Sequence, residues 1–143
     1  MLKEGRKAPD FKLVNQYGDE VRLSNFSKKN VVLYFYPKDD TPGCTKEACA
    51  FRDILSLLNR KDAIVLGVSP DSVDSHKEFI QKFALPFQLL SDPDKVAAKQ
   101  YGVVKENGGI LRSTFIIAKG GKVQKVWYDV KVDGHAREVS ASF

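Results

Sequence analysis

Cys44 and Cys49 lie five residues apart in the stretch Thr41-Pro42-Gly43-Cys44-Thr45-Lys46-Glu47-Ala48-Cys49. A thiolate is a nucleophile and a metal ligand, and two thiols can exchange with a disulfide. Zinc sites use closer cysteine pairs and four ligands. The two histidines, His76 and His135, have no metal-ligand spacing, so neither a metal nor another cofactor is expected. In a reducing compartment such a cysteine pair is more often redox-active than structural. The adjacent Asp39 and Asp40 could suggest paired carboxylates, but they read as exposed acids on a loop. His76 reads as a solvated helix residue. His135, just after Gly134, reads as helping to start the last helix.

The neighbouring segments must position these thiols. Val31-Val32-Leu33-Tyr34-Phe35-Tyr36 and Ala63-Ile64-Val65-Leu66-Gly67-Val68 are continuous apolar runs, as in strands buried on both faces. Between them Ala48, Phe51, Leu55 and Leu58 recur at helical steps. Strand, helix, strand with so long a connection is a right-handed βαβ unit with parallel neighbours. A second helix is expected through Val73, Phe79, Ile80 and Phe83, ending before Pro86. A short strand follows at Phe87-Gln88-Leu89-Leu90. A third helix is expected to begin at Ser91-Asp92-Pro93 and end near Gly102. Thr114–Ile117 and Val123–Tyr128 read as strands joined by the tight turn Lys119-Gly120-Gly121-Lys122, and a short helix follows Gly134. Phe11–Val14 and Val21–Leu23, around Tyr17-Gly18-Asp19, read as an N-terminal hairpin. The order implies one α/β domain over residues 1–143, a thioredoxin-like fold with a central mixed sheet flanked by helices.

On this plan the cysteines sit where the first central strand passes into the first long helix, and open α/β sheets build sites at the carboxyl ends of strands. Thr41 suits the N-cap and Pro42 the first helical position. Cys44 then lies in the first turn, facing unpaired backbone N–H groups and the positive end of the helix dipole, which favour the thiolate. Cys44 is also in phase with Ala48, Phe51 and Leu55, so a core role competes with a reactive one. In a straight helix the Cα atoms of Cys44 and Cys49 would be about 8.7 Å apart, beyond the roughly 7 Å that a disulfide tolerates. If the two react with each other, the first turn must unwind.

Composition excludes other classes. The net charge of +5 is spread among interleaved acids, with no basic stripe of the kind a nucleic-acid surface concentrates. Weak non-specific binding is the most that balance would support. No segment reads as a signal peptide or membrane span, so a cytoplasmic protein is expected. Asn25-Phe26-Ser27 is then an unused glycosylation sequon.

Pro37-x3-Thr41-x2-Cys44 resembles the active-site motif of the peroxiredoxins. The longer run Lys38–Thr45, with Ala48-Cys49 and Phe51-Arg52-Asp53, is similar to the Q-type subgroup, the bacterioferritin comigratory proteins. The likeness continues through Gly67–Ser72, Leu85–Asp92, Tyr101–Val103, Arg112–Phe115, Val126-Trp127 and Val130–His135. The resemblance implies a thiol peroxidase acting on hydrogen peroxide and organic hydroperoxides. It makes Cys44 the peroxidatic cysteine and Cys49 the resolving one. Thr41 would hydrogen-bond the thiolate or peroxide, Pro37 would shield it from water, and Arg112 would stabilise its charge. Backbone N–H groups of Gly43 and Cys44, beside Pro42, would hold the peroxide oxygens. A thioredoxin-type dithiol would reduce the resulting disulfide, and the protein would be a monomer or weak homodimer. One departure stands out: the subgroup carries a longer segment before Arg112 than Val104–Leu111 here, a loop expected to border the pocket or an association surface.

Two rival classes share these features, a general thiol–disulfide oxidoreductase and a non-enzymatic redox sensor. The first usually carries Cys-x2-Cys, which can bridge within one turn. The separation of the two thiols yields a direct expectation: oxidation to a Cys44–Cys49 bridge lowers the far-ultraviolet helical signal. Identical circular dichroism spectra for the oxidised and reduced protein would refute the coupling.

Overall fold

The computed structural model describes all 143 residues. The strands are β1 (Lys12–Val14), β2 (Glu20–Arg22), β3 (Asn30–Phe35), β4 (Ala63–Ser69), β5 (Gln88–Ser91), β6 (Ser113–Ile117) and β7 (Val123–Tyr128). The helices are α1 (Pro42–Arg60), α2 (Val73–Phe83), α3 (Val96–Gln100) and α4 (His135–Ala141), with a 3₁₀ turn at Leu23–Phe26. All strands join one seven-stranded mixed sheet in the order β2-β1-β5-β4-β3-β6-β7. β3 pairs in parallel with β4, as the βαβ reading expects, and antiparallel with β6. The thioredoxin-like arrangement and the N-terminal hairpin are both present.

β3 shows why its sequence is apolar from Val31 onward. Successive side chains leave opposite faces of a strand, and both faces are covered here. Val31, Leu33 and Phe35 enter a core shared with Ala97, Ala98, Tyr101, Phe115 and the N-terminal hairpin. Val32, Tyr34 and Tyr36 enter a second core with Ala48, Phe51, Leu58, Phe79 and Val139. Cys44 belongs to this second core.

The helix ends follow local chemistry. Pro42 is the first residue of α1, behind Thr41 in extended conformation. Ser72 caps α2 by accepting from the Ser75 N–H at 3.1 Å, and Ala84 ends it in the left-handed region at φ 51°. α3 differs from expectation, beginning at Val96 and not at the Ser91-Asp92-Pro93 signal. Asp92 is still the capping side chain: its carboxylate accepts from the N–H groups of Val96 at 2.9 Å and Ala98 at 3.0 Å. It reaches forward across a turn closed by the Lys95 N–H on the Asp92 carbonyl, so the cap and the helix are separated in sequence. The β6–β7 turn places Gly120 and Gly121 at φ 89° and 97°, which glycine adopts freely.

Gly67 is a packing requirement of β4. It lies between Tyr34 and Leu89 in the sheet register. A Cβ there would stand 2.7 Å from Leu89 Cδ2 and 2.9 Å from Tyr34 Cζ. Gly67→Ala should therefore destabilise the protein by roughly 1–3 kcal/mol through overpacking, read as a lowered urea midpoint with unchanged slope; a midpoint equal to wild type would show that Tyr34 and Leu89 move aside freely.

Candidate active site

Cys44 and Arg112 are far apart in sequence, and strand register brings them together. Phe35 at the end of β3 pairs with Ser113 at the start of β6. The residue before β6 thus lies beside the loop that follows β3. The Arg112 carbonyl is held by the Val130 N–H at 2.9 Å. Its Nη2 donates to Cys44 Sγ at 3.2 Å, and its Nη1 donates to Glu47 Oε1 at 2.7 Å. Gly43 makes room for this approach, since a Cβ there would stand 3.3 Å from Arg112 Nη2.

Cys44 is only 2% exposed. It is therefore both a core residue and the sulfur at a helix start, and the two readings of it are compatible. The backbone N–H groups of Gly43 and Cys44 donate to no protein acceptor, leaving two donors at the helix N-terminus beside the sulfur. Cys49 is half-buried on the same helix, and neither cysteine is bridged.

Thr41 is the N-cap of α1, as expected, but its side chain makes no capping bond. Its backbone carbonyl accepts the first helical bond, from the Thr45 N–H at 2.8 Å. Its hydroxyl turns back and donates to the Lys38 carbonyl at 3.0 Å. That fixes the hydroxyl proton and leaves the oxygen lone pairs free to accept. Pro37 and Pro42 are exposed, while Thr41 and Gly43 are half-buried around Cys44.

Glu47 is a site residue that the sequence reading passed over. It is one helical turn beyond Cys44, on the same face, which was the available signal. Burial pushes its carboxyl up to about 7, and Arg112 opposes that rise. Burial alone would lower the Arg112 pKa, but Glu47 and Cys44 outweigh it, so the guanidinium is held charged. Glu47 Oε2 and the Tyr34 hydroxyl are buried without partners below the ion pair.

Two further expectations are corrected. Asp39 is buried, and His76 is fully buried. The His76 Nδ1 stands 2.7 Å from Asp39 Oδ2, and its Nε2 stands 3.1 Å from the Leu90 carbonyl. Asp40 is exposed, as expected, and pairs with Lys82 at 2.7 Å. Asp39, Asp71 and His76 bring three possible ligand atoms within 4.8 Å of one another, but hydrogen bonds already engage all three side chains. His135 begins α4, as expected, and is buried with Nε2 2.8 Å from Thr114 Oγ1. A cavity of about 220 Å³ lined by Lys7, Leu23, Phe26, Lys29, Val31 and Ile117 lies at the other end of β3 and shares no residue with the cysteine site. No helix is long and apolar enough to cross a membrane.

This geometry has clear relatives. The family described as AhpC/TSA matches residues 5–126. The putative peroxiredoxin bcp of Coxiella burnetii is 50% identical over 145 residues, covering 96% of each chain. Peroxiredoxin Bcp of Bacillus subtilis is 48% identical, covering 96% of this chain and 92% of its own. Among solved structures, a cysteine-to-serine mutant of Xylella fastidiosa PrxQ superposes with a TM-score of 0.94 at 37% identity, covering 99% of this chain and 94% of its own. The bacterioferritin comigratory protein of Xanthomonas campestris, solved in complexes that address its alkyl peroxide reduction, superposes with a TM-score of 0.92 at 37% identity, covering 98% of this chain and 96% of its own. The chain belongs to the AhpC/TSA family. Within it, it is a peroxiredoxin of the Bcp/Q kind, a thiol-dependent peroxidase.

Glu47 generates a pH prediction. Its native pKa of about 7 lies above the ordinary 4.5. The unfolded chain therefore ionises first, and the favourable contribution of the protonated form is full below about 4.5 and lost as pH rises through 7. Relative to Glu47→Gln, wild type should lose up to about 3 kcal/mol between pH 4.5 and 8. Urea denaturation of both proteins at pH 5 and pH 8 measures it, and a stability difference independent of pH would remove the buried-carboxyl assignment.

Proposed function

We propose that Cys44 is the peroxidatic cysteine and Cys49 its resolving partner in the reduction of hydrogen peroxide and organic hydroperoxides. The observation that carries this is the 3.2 Å contact of Arg112 Nη2 with Cys44 Sγ at a helix start with open backbone donors. The guanidinium stabilises charge developing as the O–O bond breaks. The Cys44 sulfur attacks one peroxide oxygen, and the bond to the second oxygen breaks. Cys44 becomes a sulfenic acid, and water or an alcohol leaves after gaining a proton. The N–H groups of Gly43 and Cys44 hold the peroxide oxygens, with the Thr41 hydroxyl oxygen accepting from the peroxide and Pro37 and Pro42 forming the outer rim.

Cys49 then attacks the sulfenic sulfur, a Cys44–Cys49 disulfide forms and water leaves. An external dithiol of the thioredoxin type attacks this disulfide and returns both thiols, taking the oxidation away as its own disulfide. Both cysteines lie on one helix, so a single chain can complete the cycle, as a monomer or weak homodimer. A reducing cytoplasm suits a cycle that begins from two free thiols.

Peroxide consumption driven by thioredoxin tests the assignment. Cys44→Ser should abolish turnover. Cys49→Ser should keep one-turnover oxidation of Cys44 and lose thioredoxin-driven cycling. Arg112→Met should lower kcat/KM by about 10²–10³, the range for removing one donor to developing charge. Full turnover in Cys44→Ser would place the chemistry elsewhere.

A further inference from the structure

The last five residues before α1, Pro37 to Thr41, carry two of the proposed site positions. They have little backbone support: no N–H from Lys38 to Thr41 donates to a backbone carbonyl. Asp40 lies in the left-handed region at φ 56°, a conformation an L-residue holds at a cost. Side chains from other elements hold the segment in place. The Asp39 N–H donates to Asp71 Oδ2 at 2.8 Å, and the Ser69 hydroxyl fixes that carboxylate at 2.6 Å. The Asp39 carboxylate accepts from the Tyr36 hydroxyl at 2.5 Å and the Ser75 hydroxyl at 2.8 Å, and it meets His76 Nδ1 at 2.7 Å. His76 is itself pinned on its far side to the Leu90 carbonyl on β5. The buried ring thus ties the lead-in of the reactive helix to α2 and to the sheet.

We propose that His76 is a positioning residue: acting through Asp39, it latches the lead-in of α1 and so sets how often the first turn unwinds to bring Cys44 to Cys49. The inference rests on the assignment of Cys44 and Cys49 made above. Asp39 lies five residues before Cys44, so an anchored Asp39 restrains the residues that must leave the helix for a disulfide to form. The latch then acts with opposite signs on the two halves of the cycle. It preorganises Cys44, Arg112 and the open N–H donors for attack on peroxide. It also delays resolution, because the bridge needs the unwound turn.

Two fates compete for the sulfenic acid. Cys49 can attack it, forming the disulfide and releasing water. A second hydroperoxide can instead oxidise Cys44 to a sulfinic acid and leave as water or alcohol. A tighter latch favours the second fate. Simple destabilisation of the fold would slow Cys44 oxidation and disulfide formation together, whereas loosening the latch slows the oxidation and speeds the disulfide.

The test compares wild type, His76→Leu, His76→Asn and Ser75→Ala. Leucine removes both ring hydrogen bonds, while asparagine retains a donor where Nδ1 stands. Ser75→Ala removes one bond to Asp39 from a partly exposed residue. Stopped-flow mixing with hydrogen peroxide reads Cys44 oxidation. Quenched flow with thiol alkylation and mass spectrometry reads disulfide formation and the sulfinic fraction at excess peroxide. In His76→Leu, oxidation should slow about fivefold or more and disulfide formation should quicken by a similar factor, as for loss of one or more buried hydrogen bonds. The sulfinic fraction should fall, and His76→Asn should move every readout back toward wild type. If His76→Leu does not fold, Ser75→Ala decides, with the same opposed changes at smaller size. Two rates that fall together, or a disulfide rate that does not rise, overturn the latch. Wild type that forms sulfenic acid but no Cys44–Cys49 disulfide overturns the parent assignment instead, and the latch with it.

Discussion

The contact between the Arg112 guanidinium and the Cys44 sulfur depends on the pairing of β3 with β6. If β6 slipped by one residue, its side chains would change faces and the arginine would leave the sulfur. That register is secured by the alternating burial of β3, whose two faces feed two separate cores. The chemistry is thus specified by packing. The same hydrophobic residues that hold the sheet together align a cation just before one strand with a thiol from the helix after another. Gly43 adds the last allowance, because any side chain there would crowd the guanidinium.

Arg112 is shared between a sulfur and a buried carboxylate, and this sharing shapes the electrostatics. Removing a guanidinium from water is costly unless its donors are used. Glu47 and Cys44 each engage one Nη group. Glu47 holds the arginine in line, and its own burial weakens its claim on the positive charge by raising its proton affinity. A freely ionised acid at that position would compete harder with the Cys44 sulfur for the same cation.

Much of this was legible in the sequence, and the omissions have physical causes. β3 and β4 announce themselves by unbroken apolar runs, and α1 by the spacing of Ala48, Phe51 and Leu58. The start of α1 was readable because Thr41-Pro42 is a local signal. What escaped was nonlocal. His76 and Asp39 are polar residues in polar surroundings of the sequence, and only the meeting of α2 with the β3–α1 loop buries them against each other. Glu47 looks like one more surface acid until the β6 register brings Arg112 over it. The Thr41 hydroxyl could serve either the helix N–H groups or the preceding loop, and it donates to Lys38. Ser91 and Asp92 both suit a cap, but the reach of the Asp92 side chain across a turn cannot be seen in residue spacing.

The short segment before Arg112 has its own consequence. Its base is closed by the Leu111 N–H on the Val103 carbonyl at 2.7 Å and by a bridge between Val104 and Ile110, with Ile110 buried in the core. Everything beyond that closure is insulated from the strand that follows. Residues can be gained or lost at the tip while Arg112 keeps its place, since loops lengthen at small entropic cost when their ends are already fixed. The fold therefore lets this loop change in length while the position of Arg112 beside Cys44 is held by the strand that follows.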